Sequence, residues 1–157
     1  MTATELSKIE RAITLRAPRS RVWKAITSRD DFANWFGVKI KGESGFAPGA
    51  RLEMTSIHEG DGYGTVFFML IDRIEPEHLI SWRWHPGMPE LDVDYSKEPM
   101  TLVEFKLDEV EGGTRVTVIE SGFDQFSLAR REKVYGDNSQ GWAFQMESLA
   151  KYVAESA

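Results

Sequence analysis

A strand has to become a helix within two residues at Ala17-Pro18, and this junction limits the folds open to the chain. Upstream, Ile9, Ile13 and Leu15 share a parity across Ile9–Arg16 and are mostly separated by polar residues, the pattern of a first strand with one buried face. Pro18 sets φ where a helix begins and lacks only an N–H that the first turn does not use. Val22, Trp23 and Ile26 follow at helical spacing. A second short helix is predicted from Asp30-Asp31, carrying Phe32, Trp35 and Phe36, with a turn at Gly37.

The middle of the chain reads as an antiparallel meander. Arg51–Ile57 is predicted as a strand, with Leu52 and Met54 on one face, and Glu59-Gly60-Asp61-Gly62 as a turn. Tyr63–Ile74 is a long strand, turned by Pro76-Glu77-His78 into Leu79–Trp84. His85–Pro99 holds Pro86, Pro89 and Pro99 and has no apolar period, so it is predicted to be a mobile loop partly covering a cavity mouth. Strands resume at Thr101–Leu107 and Thr114–Ser121 around Gly112-Gly113. Trp142, Met146, Leu149 and Val153 then form one helical stripe. The start of that helix is left open between Phe126 and a break near Gly136-Asp137-Asn138.

These elements specify an α+β chain with a curved antiparallel sheet, two short helices and a long terminal helix. The terminal stripe has to be buried, so the helix is expected in the concave face, an arrangement that leaves a cavity. With 157 residues and 41% hydrophobic content, residues 1–157 are expected to form one domain with a substantial core. Because cysteine is absent, disulfides, thiolate catalysis and cysteine-ligated metals are excluded. A formal charge of -6 argues against a nucleic-acid partner, and the cluster Arg130, Arg131 and Lys133 is too small to reverse it. No apolar run is long enough to span a bilayer, and Met1–Ser7 lacks the features of a signal peptide. The expected location is cytoplasmic.

The order and identity of these residues resemble the START-like (SRPBCC) superfamily, the helix-grip fold. Within it, the chain is similar to the homologues of the heat-shock chaperone ATPase activator. The resembling residues are Ala17-Pro18, Val22-Trp23, Ala25, Trp35-Phe36-Gly37, Gly113-Thr114-Arg115, Glu120-Ser121-Gly122-Phe123, and Gly141-Trp142 with Leu149. They extend the likeness over nearly the whole chain, from Ile9 to Val153. The resemblance implies a cavity-bearing fold whose members include lipid carriers, hormone receptors and cyclases, so it does not assign a reaction. The eukaryotic co-chaperones carry a separate amino-terminal domain, so direct stimulation of a chaperone ATPase is not expected.

Candidate ligand-binding residues are Trp35, Phe36, Trp82, Trp84, Phe105, Trp142 and Met146, which can line an apolar pocket or fill the core. A buried indole N–H needs a partner, so several tryptophans together suggest a partly polar cavity. His85 stands where a strand enters the long loop and is a candidate donor or base at the mouth. His58 and His78 read as exposed turn residues. Glu120 continues the alternation of Val116 and Val118 and so is read as facing inward, where a carboxylate needs hydrogen bonds or a cation. Arg83 and Glu104 lie in strands, with Glu104 read as solvated. No metal site is expected, no cofactor is implied, and Gly60-Asp61-Gly62-Tyr63-Gly64 reads as a turn, not a phosphate loop. The expected function is binding of a small apolar or aromatic molecule. The alternatives are a cyclase-like or hydrolytic enzyme using His85, Glu120 or Arg83, and a module contacting a chaperone or other protein. Val66–Ile71 is apolar on both strand faces, so a homodimer or another partner is a candidate cover for the outer one.

Overall fold

A computed structural model describes residues 6–57, 63–87 and 93–155 of the chain. The first strand, β1, is Lys8–Leu15, and Pro18 caps α1, Arg19–Thr27, with φ of -65°. Val22, Ala25 and Ile26 are the buried face of α1. Ser28 separates it from α2, Arg29–Phe36, which buries Phe32, Trp35 and Phe36. Gly37 ends α2 with a left-handed φ of 79°, a conformation open to glycine at little cost, and its N–H bonds to the carbonyl of Ala33.

The remaining strands are β2 (Val38–Ile40), β3 (Arg51–Ser56), β4 (Val66–Glu75), β5 (Leu79–Trp84), β6 (Thr101–Val110) and β7 (Gly113–Ser121). They form one curved, open, seven-stranded antiparallel sheet in the order β1-β7-β6-β5-β4-β3-β2. The three-residue β2 is absent from the sequence reading, being too short to show a period. β4 runs from Val66, three residues later than predicted, and its register shifts between Ile71 and Arg73. The turn at residues 59–62, His58, and residues 88–92 of the long connection lie outside the described residues. That connection carries one turn of 3-10 helix at Tyr95–Lys97.

The terminal helix α3 is continuous from Leu128 to Glu155, with no break at Gly136-Asp137-Asn138. It buries Val134, Trp142, Met146, Leu149 and Val153. Its second half is tied to α2: Gln145 Nε2 donates to the Phe36 carbonyl at 2.9 Å, Ser148 to the Trp35 carbonyl, and the Tyr152 hydroxyl to Asp31. The last hydrogen bond, followed by burial, raises the Tyr152 phenol above its usual pKa.

Strand alternation sets the inner face of the sheet. Thr101, Val103, Phe105 and Leu107 of β6 are buried, as are Thr114, Val116, Val118 and Glu120 of β7. On β4, Met69 and Ile71 are buried, so Val66, Phe68 and Leu70 belong to the outer face. The Arg51 guanidinium lies 3.8 Å from the Phe68 ring centre, so part of that outer apolar row is covered within the monomer.

Candidate functional site

Four side chains donate to Glu120, two placed by strand register and two by α3. Trp84 and Thr101 are cross-strand partners, and Val103, two residues after Thr101 on the same face, pairs with Glu120. Thr101 therefore lies diagonally beside Glu120 on the neighbouring strand, and Trp84 one strand further across the same face. Trp84 Nε1 donates to Glu120 Oε2 at 2.9 Å and Thr101 Oγ1 to the same oxygen at 2.5 Å. From α3, Trp142 Nε1 donates to Oε1 at 2.8 Å, and Asn138 Nδ2 lies 2.9 Å from both oxygens. Asn138 and Trp142 are four residues apart and share a helix face. Glu120 has no exposed surface, and the four side chains that donate to it, from Trp84, Thr101, Asn138 and Trp142, are all neutral, the hydrogen-bonded alternative to a paired cation.

Asn138 also reaches outward. Its Oδ1 accepts the Gly87 N–H at 2.9 Å, tying the start of the long connection to α3. Gly87 has φ of +85°, and a Cβ there would come within 2.9 Å of Val134 Cγ1, so both backbone and space call for glycine. His85 Nδ1 is 3.3 Å from the Pro99 carbonyl, which can only accept, so Nδ1 is the donor.

Above this network opens a pocket of about 360 Å³. Phe36, Phe67, Trp84 and Trp142 form much of its apolar wall, and His85, Tyr95, Asp137, Asn138 and Gln145 its polar side. Trp84 and Trp142 stack at 5.7 Å with 26° between planes. Of the nine candidate binding residues, Phe36, Trp84, His85 and Trp142 line this pocket. Trp35, Trp82, Phe105 and Met146 pack in the core and are not among its lining, while Glu120 lies out of contact with solvent, bonded to two of the wall rings. Arg83 is exposed and alternates with Trp82 and Trp84, so it belongs to the other sheet face; His78 is exposed as well. Among the described residues, no group of three or more His, Cys, Asp or Glu is arranged to hold a metal ion. Nor is any helix among them long and apolar enough to cross a membrane.

Thr101 and Asn138 were missed as site residues. Thr101 shares the parity of Val103, Phe105 and Leu107, and Asn138 sits one turn before Trp142 on the buried stripe, so both carried a signal.

A curved antiparallel sheet gripping a long helix, with a ring-walled pocket between them, defines a helix-grip protein. The chain belongs to the family described as Activator of Hsp90 ATPase homolog 1-like protein, whose model matches residues 16–154. Among solved structures, a protein of Mesorhizobium loti is similar with 21% identity and a TM-score of 0.75, over 96% of this chain and 98% of that one. A protein from the dynemicin biosynthetic locus is 22% identical with a TM-score of 0.71, over 94% of this chain but 47% of its own length. The Aha1 dimer from Colwellia psychrerythraea is 18% identical with a TM-score of 0.67, over 93% of this chain and 95% of that one. At these identities the likeness is one of fold. A search of curated proteins found no match.

Proposed function

We propose that this chain binds a small, largely apolar aromatic molecule in the pocket between α3 and the sheet. The observation that carries the reading is the pairing of two wall indoles with one buried carboxylate: Trp84 and Trp142 are both oriented by Glu120, at 2.9 and 2.8 Å. Ring orientation fixed by hydrogen bonds to Glu120 keeps the stacked indoles in place as one wall, which suits a preformed pocket with few directional groups. Phe36 and Phe67 extend the same wall, and His85 lies at its polar side.

The enzymatic alternative has less support. Glu120 has no exposed surface and is absent from the pocket lining, so it is poorly suited to accept a proton from a bound molecule. His85 lines the pocket and is the residue on which a catalytic reading would rest. Contact with a chaperone draws on the family description alone.

Native mass spectrometry of the protein purified without added ligand tests the binding reading, paired with titration of neutral bicyclic aromatics followed by calorimetry. A retained small molecule, or saturable one-to-one binding that Gly141→Leu abolishes, is the expected result. No retained mass and no saturable binding would sink it. Turnover of a bound molecule that disappears in His85→Asn would favour the enzyme instead.

A further inference from the structure

We infer that this pocket selects an uncharged aromatic molecule bearing a hydrogen-bond donor, such as a hydroxyl, and rejects an aryl carboxylate of the same size. The inference rests on the binding reading above and concerns which polar groups the pocket has left to offer.

Most of the nitrogen donors of the wall are already committed within the protein. Trp84 Nε1, Trp142 Nε1 and Asn138 Nδ2 all donate to Glu120, at 2.8–2.9 Å. The Gly87 N–H is taken by Asn138 Oδ1 at 2.9 Å. Gln145 Nε2 donates to the Phe36 carbonyl at 2.9 Å. A carbonyl can only accept, so this bond also fixes which end of the Gln145 amide is which; the other end, Oε1, is buried without a hydrogen-bond partner. His85 Nδ1 is likewise taken up within the protein, facing the Pro99 carbonyl at 3.3 Å. What the wall leaves unsatisfied is therefore an acceptor, Gln145 Oε1, on a residue that lines the pocket.

Charge points the same way. No Lys or Arg is among the described residues lining the pocket, whereas Asp137 is, and the Glu120 carboxylate lies behind the wall. The nearby Lys133 Nζ is 3.5 Å from Asp137 Oδ2 and thus already engaged with a carboxylate. An incoming carboxylate would lose its hydration, find most of the nitrogen donors used, and meet two carboxylates with no Lys or Arg in the lining and the nearby Lys133 shared with one of them. A neutral hydroxyl-bearing ring meets none of these penalties and supplies the donor that the wall lacks.

Three matched probes test this: 2-naphthol, 2-methoxynaphthalene and 2-naphthoate, measured by equilibrium dialysis at pH 7 against the unmodified chain. We expect 2-naphthol to bind at least about tenfold more tightly than 2-naphthoate, and about three- to tenfold more tightly than its methyl ether, the range of one neutral hydrogen bond. Asp137→Asn should raise 2-naphthoate affinity by about threefold or more, through loss of a like charge. Gly141→Leu, which fills open space at the wall, should remove 2-naphthol binding and so tie it to this pocket. Naphthoate binding as tightly as naphthol, or naphthol no tighter than its ether, would overturn the selectivity while leaving the binding reading standing. Absence of binding by all three probes would overturn both.

Discussion

Two sets of aromatic rings flank Trp142, and they differ in what backs them. On one side Phe32, Trp35, Trp82 and Phe105 have almost no exposed surface, with Trp82 and Phe105 stacked at 5.3 Å. On the other, Phe36, Phe67 and Trp84 bound an open pocket. Trp142 belongs to both, with its ring centre 5.5 Å from that of Phe105 and 5.7 Å from that of Trp84. The indoles make the contrast sharpest. Trp84 and Trp142 are held by a carboxylate, while the buried Trp82 Nε1 has no hydrogen-bond partner among the described residues. Trp82 is fixed by neighbours on every side, and the core Trp35 by a backbone carbonyl, that of Ala25, whereas the two wall indoles share one side-chain carboxylate.

The largest test of this comparison removes the shared ring. Trp142→Ala should lower stability by about 3–5 kcal/mol, since it empties a buried site and withdraws a donor from Glu120. Urea unfolding measures this, and a loss under about 1 kcal/mol would place Trp142 outside the core. Glu120→Gln should cost about 1–3 kcal/mol, because one acceptor is exchanged for an NH₂ facing other donors. Its Trp84 and Trp142 indole N–H resonances should shift by NMR while that of Trp35, bonded to the Ala25 carbonyl at 2.7 Å, stays in place. A shift of all three alike would mean that the carboxylate supports the fold generally and not the pocket wall.

A finer comparison sets Trp82→Phe against Trp84→Phe. Burial alone ranks Trp82 as the costlier change, since Trp84 keeps 9% of its surface exposed and Trp82 none. Hydrogen bonding reverses the order: Trp84→Phe strips Glu120 of a donor, while Trp82→Phe removes an unsatisfied one. Trp84→Phe should be the more destabilising by about 1 kcal/mol in denaturant unfolding. The smallest expected effect lies outside the pocket. Arg51→Ala should cost about 0.5–1 kcal/mol by uncovering Phe68. Sedimentation of that variant then tests a partner on the outer face, because self-association appearing only after the change would show that Arg51 keeps the face covered.

Much of the frame is legible in the sequence. The strand-to-helix switch at Pro18, the parity of β6 and the inward Glu120 all follow from local chemistry and period. The two aromatic sets were not separable, because the sequence shows which residues are apolar but not where space is left unfilled. Trp82 and Trp84 share a strand, a parity and a side chain, and only the packing against them tells core from wall. Asn138 escaped notice for a different reason. Beside Gly136 and Asp137 it has poor helix propensity and reads as a break, yet its amide finds partners in Glu120 and Gly87 and the helix continues through it. Tertiary hydrogen bonds thus overrode a local preference at a residue that joins the carboxylate to the long connection.

Gly141 gives the wall one further property. It lies in α3 and lines the pocket, and an added Cβ there would meet nothing within 4 Å. A glycine inside a helix is disfavoured relative to alanine by roughly 1 kcal/mol, so most single replacements would firm the helix while shrinking the space beside it. The residue is also separate from the hydrogen bonds that orient Trp84 and Trp142. Chamber size and ring orientation are therefore under independent genetic control: one codon change at Gly141 narrows the pocket and firms the helix without disturbing Glu120.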